Sequence, residues 1–104
     1  MCTDVICATF PAGTMTGAPK IKAMEVIEQL EESRRGFYAG VFGLIGFGGF
    51  ANLALSIRTV VAGSDGYTLR ASAGIVIDSI PESEWNETLA KMGAPARATT
   101  GRDL

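Results

Sequence analysis

Between Arg35 and Arg58 the chain runs for 22 residues without a charge, long enough to cross a bilayer and also long enough for two paired strands. Six of these residues are glycines: Gly36, Gly40, Gly43, Gly46, Gly48 and Gly49. Gly48-Gly49 falls between two strand-favouring runs, VFGLIGF and FANLALSIRTVV. A Gly-Gly pair in that setting signals a two-residue turn, because both central positions take φ > 0 without steric penalty. The segment therefore reads as a hairpin, with a membrane helix as the alternative that turn chemistry disfavours.

A chain of 104 residues supports one modest core at most, so a single domain is expected. Nine Lys/Arg against eleven Asp/Glu exclude a polybasic nucleic-acid footprint, and no nucleic-acid partner is expected. Histidine is absent, which leaves acid-base work to carboxylates, lysines and tyrosines. Cys2 and Cys7 make neither a disulfide framework nor a CxxC pair and read as reduced thiols of a cytoplasmic protein. The start, MCTDVICATFPAG, has neither the basic region nor the long apolar stretch of a signal peptide.

The pattern predicts an α+β fold. Residues 3 to 10 are a short apolar piece at the end of a helix, and residues 11 to 20 a loop. A helix then runs to about Leu30, because Ile21, Met24, Ile27 and Leu30 recur at helical spacing. Three antiparallel strands are expected at about 38 to 47, 50 to 62 and 67 to 77, a meander joined by Gly48-Gly49 and by GSDG at 63 to 66. Alternation in the second strand sets Leu53, Leu55 and Ile57 on one face and Asn52, Ala54, Ser56 and Arg58 on the other. A last helix is predicted from Pro81 to Met92, with Asp78 and Ser79 offering capping oxygens and Gly93 ending it; 96 to 104 reads as a frayed tail.

Two places carry chemistry. Glu84, Glu87 and Lys91 lie at i, i+3 and i+7, within an arc of about 60° on one helix face. Carboxylates one turn apart suit a hard cation such as Mg²⁺, and a lysine beyond them suits an anionic substrate. The alternative is a solvated face with an ordinary Glu87/Lys91 pair. The loop GTMTGAPK is not a phosphate loop, since Gly13 and Gly17 are too close and Ile21 follows Lys20 where Ser or Thr would ligate Mg²⁺. Lys20 and Lys22 at the start of the first long helix run against its macrodipole, a hint of an anion or partner nearby.

Four blocks in fixed order, FPAGTMTGAPKIKAMEVIEQLE, RRGFYAGVFG, LSIRTVV and SAGIVIDSIPESEWNETLAK, resemble the last blocks of the chorismate-binding enzymes. That family includes anthranilate synthase component I and the aminodeoxychorismate synthase large component, and GAPK looks most like these two branches. The resemblance implies that residues 1 to 104 are a partial domain, a C-terminal part of the larger chorismate-binding sandwich of antiparallel sheets flanked by helices. It implies a Mg²⁺-dependent synthase that aminates chorismate with ammonia from a glutamine amidotransferase partner, and that eliminates pyruvate in the anthranilate case.

Residue by residue, Glu84 and Glu87 match metal ligands. Lys91, Arg58, Tyr38 and Thr14 match substrate-contacting positions, and the backbone of Ser72, Ala73 and Gly74 matches a Gly-Ala-Gly stretch that wraps the substrate. Ser72 departs from that stretch by adding a side chain. The family's remaining metal ligand and its general acid and base lie upstream and have no counterpart here, so the isolated chain is expected to be inactive. It is expected to associate with the remainder of the domain or with itself. The competing reading is a non-catalytic α+β fragment acting as a binding or interaction module.

Overall fold

The computed structural model describes residues 1–103 and is α+β, built as two compact units that meet in sequence between Ser56 and Ile57. The first unit holds α1 (Cys2–Thr9), α2 (Gly13–Thr16), α3 (Lys20–Leu30), β1 (Val41–Ile45) and β2 (Ala51–Leu55). The second holds β3 (Val60–Gly63), β4 (Gly66–Leu69) and α4 (Pro81–Thr100).

α3 forms where the helical spacing placed it. The loop before it contains one helical turn, α2, which Gly17 closes at φ +95; a Cβ on Gly17 would stand 3.0 Å from the Ala23 Cβ. α2 thus packs closely on α3. The lysines that oppose the α3 dipole find partners in the chain itself: the Lys20 ammonium reaches the Thr9 carbonyl at 3.4 Å and Lys22 pairs with Glu25 at 2.9 Å. No external anion is needed to account for them.

The uncharged segment folds as the expected antiparallel hairpin, Val41 opposite Leu55 through Ile45 opposite Ala51. Among the described residues no helix is long and apolar enough to cross a membrane. Its turn is wider than a Gly48-Gly49 pair. Gly46 N–H donates to the Phe50 carbonyl (2.7 Å) and Gly49 N–H to the Gly46 carbonyl (3.2 Å), with Gly49 at φ +84. This is the three-residue loop that ends on a left-handed glycine. Gly43 is required for a different reason: a Cβ there would lie 2.0 Å from the Asn52 carbonyl oxygen.

β1 begins later than expected because Arg35–Tyr38 and Phe37–Gly40 form successive turns. Ala39, at φ +66, donates its N–H to the Ser56 carbonyl (3.0 Å), while Ser56 donates to the Gly40 carbonyl (2.8 Å). Two residues facing one make a β-bulge directly after Tyr38, a device that re-aims neighbouring side chains.

The three-stranded meander is not formed. The strands make two separate two-stranded sheets, β1-β2 and β3-β4, the latter pairing Val60 with Leu69 through Gly63 with Gly66. The strand expected over 50 to 62 breaks after Leu55, and Arg58 at φ +50 takes the backbone out of the extended region before β3 begins at Val60. The strand expected over 67 to 77 stops at Leu69.

The last helix runs past Met92 to Thr100, so residues 96 to 100 of the expected frayed tail are helical. Gly93 stays out of the left-handed region, and the stop comes from Gly101 at φ +69, whose N–H donates to the Arg97 carbonyl at 2.9 Å. Pro95 lies inside the helix and removes the bond that the Lys91 carbonyl would otherwise accept. Pro81 opens α4 with Glu82 and Glu84 in its first turn. Ile80 holds the cap position, and Ser79 instead accepts the Val76 N–H at 2.9 Å through its hydroxyl.

Little side-chain surface is buried. Ala39, Ala96 and Ser56 are buried, whereas Ile21 and Leu30 on α3, Leu44 on β1, Ile77 and Trp85 are exposed. The accessible surface totals 8141 Å². Two separate compact units of half this mass would expose about 6,700 Å² between them, so more surface is accessible than compact folding leaves, and the exposed large apolar side chains form part of it.

Candidate functional site

α4 presents Glu84, Glu87 and Lys91 along one face, with Glu84 and Lys91 half-buried and Glu87 exposed. The Lys91 ammonium lies 2.5 Å from Glu87 Oε1 and donates to the Ser72 carbonyl at 3.0 Å. One lysine therefore joins the helix to the irregular segment that follows β4. Ser72 and Ala73 are half-buried beside it and Gly74 is exposed. The contact uses the Ser72 carbonyl, so it is compatible with either serine or glycine at that position.

Arg58 belongs to the same unit, is exposed, and joins none of these contacts. Its left-handed φ of +50 is uncommon for a residue that is not glycine, Asn or Asp, and holding it costs on the order of 1 kcal/mol or more. Strain of that kind tends to persist where a side chain is being aimed.

Thr14 and Tyr38 lie in the first unit. Thr14 is exposed on α2 and Tyr38 is half-buried at the bulge. Sequence reasoning missed the residue that links them. Arg35 grips Glu31 with two nitrogens, Nε at 3.0 Å from both carboxylate oxygens and Nη2 at 2.7 Å from Oε1. Its Nη1 donates to the Met15 carbonyl, next to Thr14, at 2.8 Å, and its guanidinium carbon stands 5.6 Å from the Tyr38 ring centroid. The hydrogen bond with Glu31 raises the Arg35 pKa, burial opposes it, and the charges of Glu31 and Tyr38 add to the rise. No spacing rule singles this residue out, because Glu31 caps α3 and Arg35 lies beyond the helix.

Among the described residues no three His, Cys, Asp or Glu side chains gather as a metal cage. Two carboxylates on one helix face nonetheless fit Mg²⁺, which keeps several waters and is commonly held by one or two carboxylates together with substrate oxygens. The present partner of Glu87 is an ammonium, so the carboxylate already faces positive charge.

Residues 1–97 match the chorismate binding enzyme family. The chain is 62% identical over 101 residues to a 2-amino-4-deoxychorismate synthase of Streptomyces globisporus, covering 97% of this chain and 20% of that protein. It is 53% identical over 95 residues to anthranilate synthase component 1 of Aquifex aeolicus, covering 91% and 19%. The corresponding protein of Neisseria meningitidis serogroup A is 50% identical over 95 residues, with the same coverage. The chain thus spans about a fifth of the length of the curated relatives it matches. With four sequence blocks in order and the family match extending over nearly all of its residues, the chain belongs to the chorismate-binding enzyme family.

Proposed function

We propose that the chain is the C-terminal portion of a Mg²⁺-dependent synthase that aminates chorismate in the cytoplasm. The observation that carries the reading is the Lys91 bridge: it places Glu87, Lys91 and the Ser72 carbonyl in contact, joining two stretches of the last sequence block. The names of the relatives support chorismate chemistry, as a 2-amino-4-deoxychorismate synthase and as anthranilate synthases. Ammonia would come from a glutamine amidotransferase subunit, and the anthranilate outcome adds loss of pyruvate.

Glu84 and Glu87 would hold Mg²⁺, which supplies positive charge to a substrate carboxylate and assists departure of the ring hydroxyl. Lys91 supplies a mobile point charge at the same face. Arg58 offers a planar fork suited to a carboxylate, and Thr14 and Tyr38 offer hydroxyls. The metal ligand and acid-base groups missing from the four blocks make the isolated chain inactive, since electrostatic catalysis needs a complete, water-excluding site.

The test is made in the full-length synthase. Glu87→Gln keeps size and removes charge, and it should raise the Mg²⁺ concentration needed for activity. Lys91→Met should instead weaken chorismate use with less effect on the metal requirement. Normal metal dependence in Glu87→Gln would end the metal assignment. For the isolated chain, incubation with chorismate, Mg²⁺ and ammonium should give no anthranilate fluorescence, and appreciable turnover would refute the fragment reading. The exposed apolar surface favours a further outcome, self-association, which light scattering at high concentration would detect; a clean monomer would count against it.

A further inference from the structure

We infer that Arg35 is a positioning residue that sets the Thr14 turn and the Tyr38 ring in register for the substrate. The inference rests on the reading of Thr14 and Tyr38 as chorismate contacts.

Three independent contacts meet at one guanidinium. Glu31 clamps it from the end of α3, the Met15 carbonyl receives Nη1, and the guanidinium carbon stands over the Tyr38 ring. The Arg35 and Glu31 side chains are only 18% and 26% exposed, so the fork is held in one orientation. Arginine suits this role because its donors diverge in a fixed plane, letting one delocalised cation address a carboxylate and a carbonyl while it stands over a ring. A lysine has no plane to stack and one nitrogen to share. Thr14 is the neighbour of the clamped carbonyl, and Tyr38 precedes the bulge at Ala39 and Gly40. Each candidate contact residue thus sits one step from an Arg35 contact or in it.

The test has a ligand-free arm and a chorismate arm, both on this chain. Without ligand, Arg35→Lys should shift the backbone amide signals of Gly13 to Gly17 and the Tyr38 ring signals together in NMR spectra. Unmoved signals would overturn the proposal. With chorismate, Arg35→Lys should weaken binding about fivefold or more in the parent chain and have little further effect once Thr14→Val and Tyr38→Phe are present, the signature of coupled residues. Equal weakening in both backgrounds would mean a general structural role and would overturn positioning while leaving the chorismate reading intact. No chorismate binding by the parent chain, with the amide and ring signals shifting as expected, would count against the substrate reading and would overturn the substrate role assigned to Arg35.

Discussion

Each unit contains a cation that reaches back four residues to a glutamate and across to a distant backbone carbonyl. In the first unit Arg35 holds Glu31 and the Met15 carbonyl; in the second Lys91 holds Glu87 and the Ser72 carbonyl. The connectivity is alike, yet the settings differ. Arg35 and Glu31 are largely covered and joined through two guanidinium nitrogens, whereas Lys91 is 31% and Glu87 51% exposed and they meet through one ammonium. A covered, two-pronged pair is committed to holding structure. A solvated point-charge pair is cheap to open, which is what the site proposed for a cation and an anionic substrate would require.

Removing each cation should separate the two pairs most sharply. Arg35→Met removes both nitrogens that grip a largely covered Glu31 and the donor to the Met15 carbonyl, for a loss of about 2–4 kcal/mol. Lys91→Met removes a solvated pair and should cost below about 1 kcal/mol. Urea unfolding followed by circular dichroism measures both, and equal losses would erase the distinction. Exchanging the cations is the gentler form of the same comparison. Arg35→Lys should cost about 1–2 kcal/mol because the fork is lost, and Lys91→Arg should stay within about 0.5 kcal/mol.

The Lys91 pair was legible in the sequence and the Arg35 pair was not, for a physical reason. Glu84, Glu87 and Lys91 share one uninterrupted helix, where spacing alone fixes a face. Arg35 lies past the end of α3, in a segment whose path depends on the turns at Arg35–Tyr38 and Phe37–Gly40, and its carbonyl partner is 20 residues away. The hairpin was legible because its glycines are local signals. The meander failed at Arg58, whose left-handed backbone no pattern of apolar residues announces. Gly93 and Pro95 looked like a helix stop, and Gly101 supplied the real one, because a glycine ends a helix only where the chain needs φ > 0.

Salt and pH sharpen the contrast at smaller scale. In 1 M salt, where the Debye length is about 3 Å, the stability difference between the parent chain and Lys91→Met should shrink toward zero, while that for Arg35→Met should largely persist. A pKa raised on folding contributes stability that is full below the unfolded arginine value and is lost only as pH climbs through the folded one, in strong alkali. Arg35 should therefore contribute equally at every pH near neutrality, and urea midpoints of the parent chain and Arg35→Met should keep a constant separation from pH 6 to 9. A separation that closed over that range would show that the guanidinium is not the group that matters.

The smallest effect concerns Ser72, the residue at which this chain departs from the Gly-Ala-Gly stretch its resemblance implies. Lys91 is bound by the Ser72 carbonyl, a group that every residue type carries, so Ser72→Gly leaves the acceptor in place. The substitution adds backbone freedom, because glycine loses more conformational entropy on ordering, and that contribution is a loss of about 0.5–1 kcal/mol. The Lys91 ammonium should keep its place between the carbonyl and Glu87, visible as an unchanged side-chain nitrogen signal in NMR. In the full-length synthase the same substitution removes a side chain beside the candidate substrate site, so chorismate use should hold or improve. If instead Ser72→Gly displaced the Lys91 signal, the serine side chain and not its carbonyl would be fixing the lysine. The correspondence between the two cation bridges, each anchored on main chain, would then fail in the second unit.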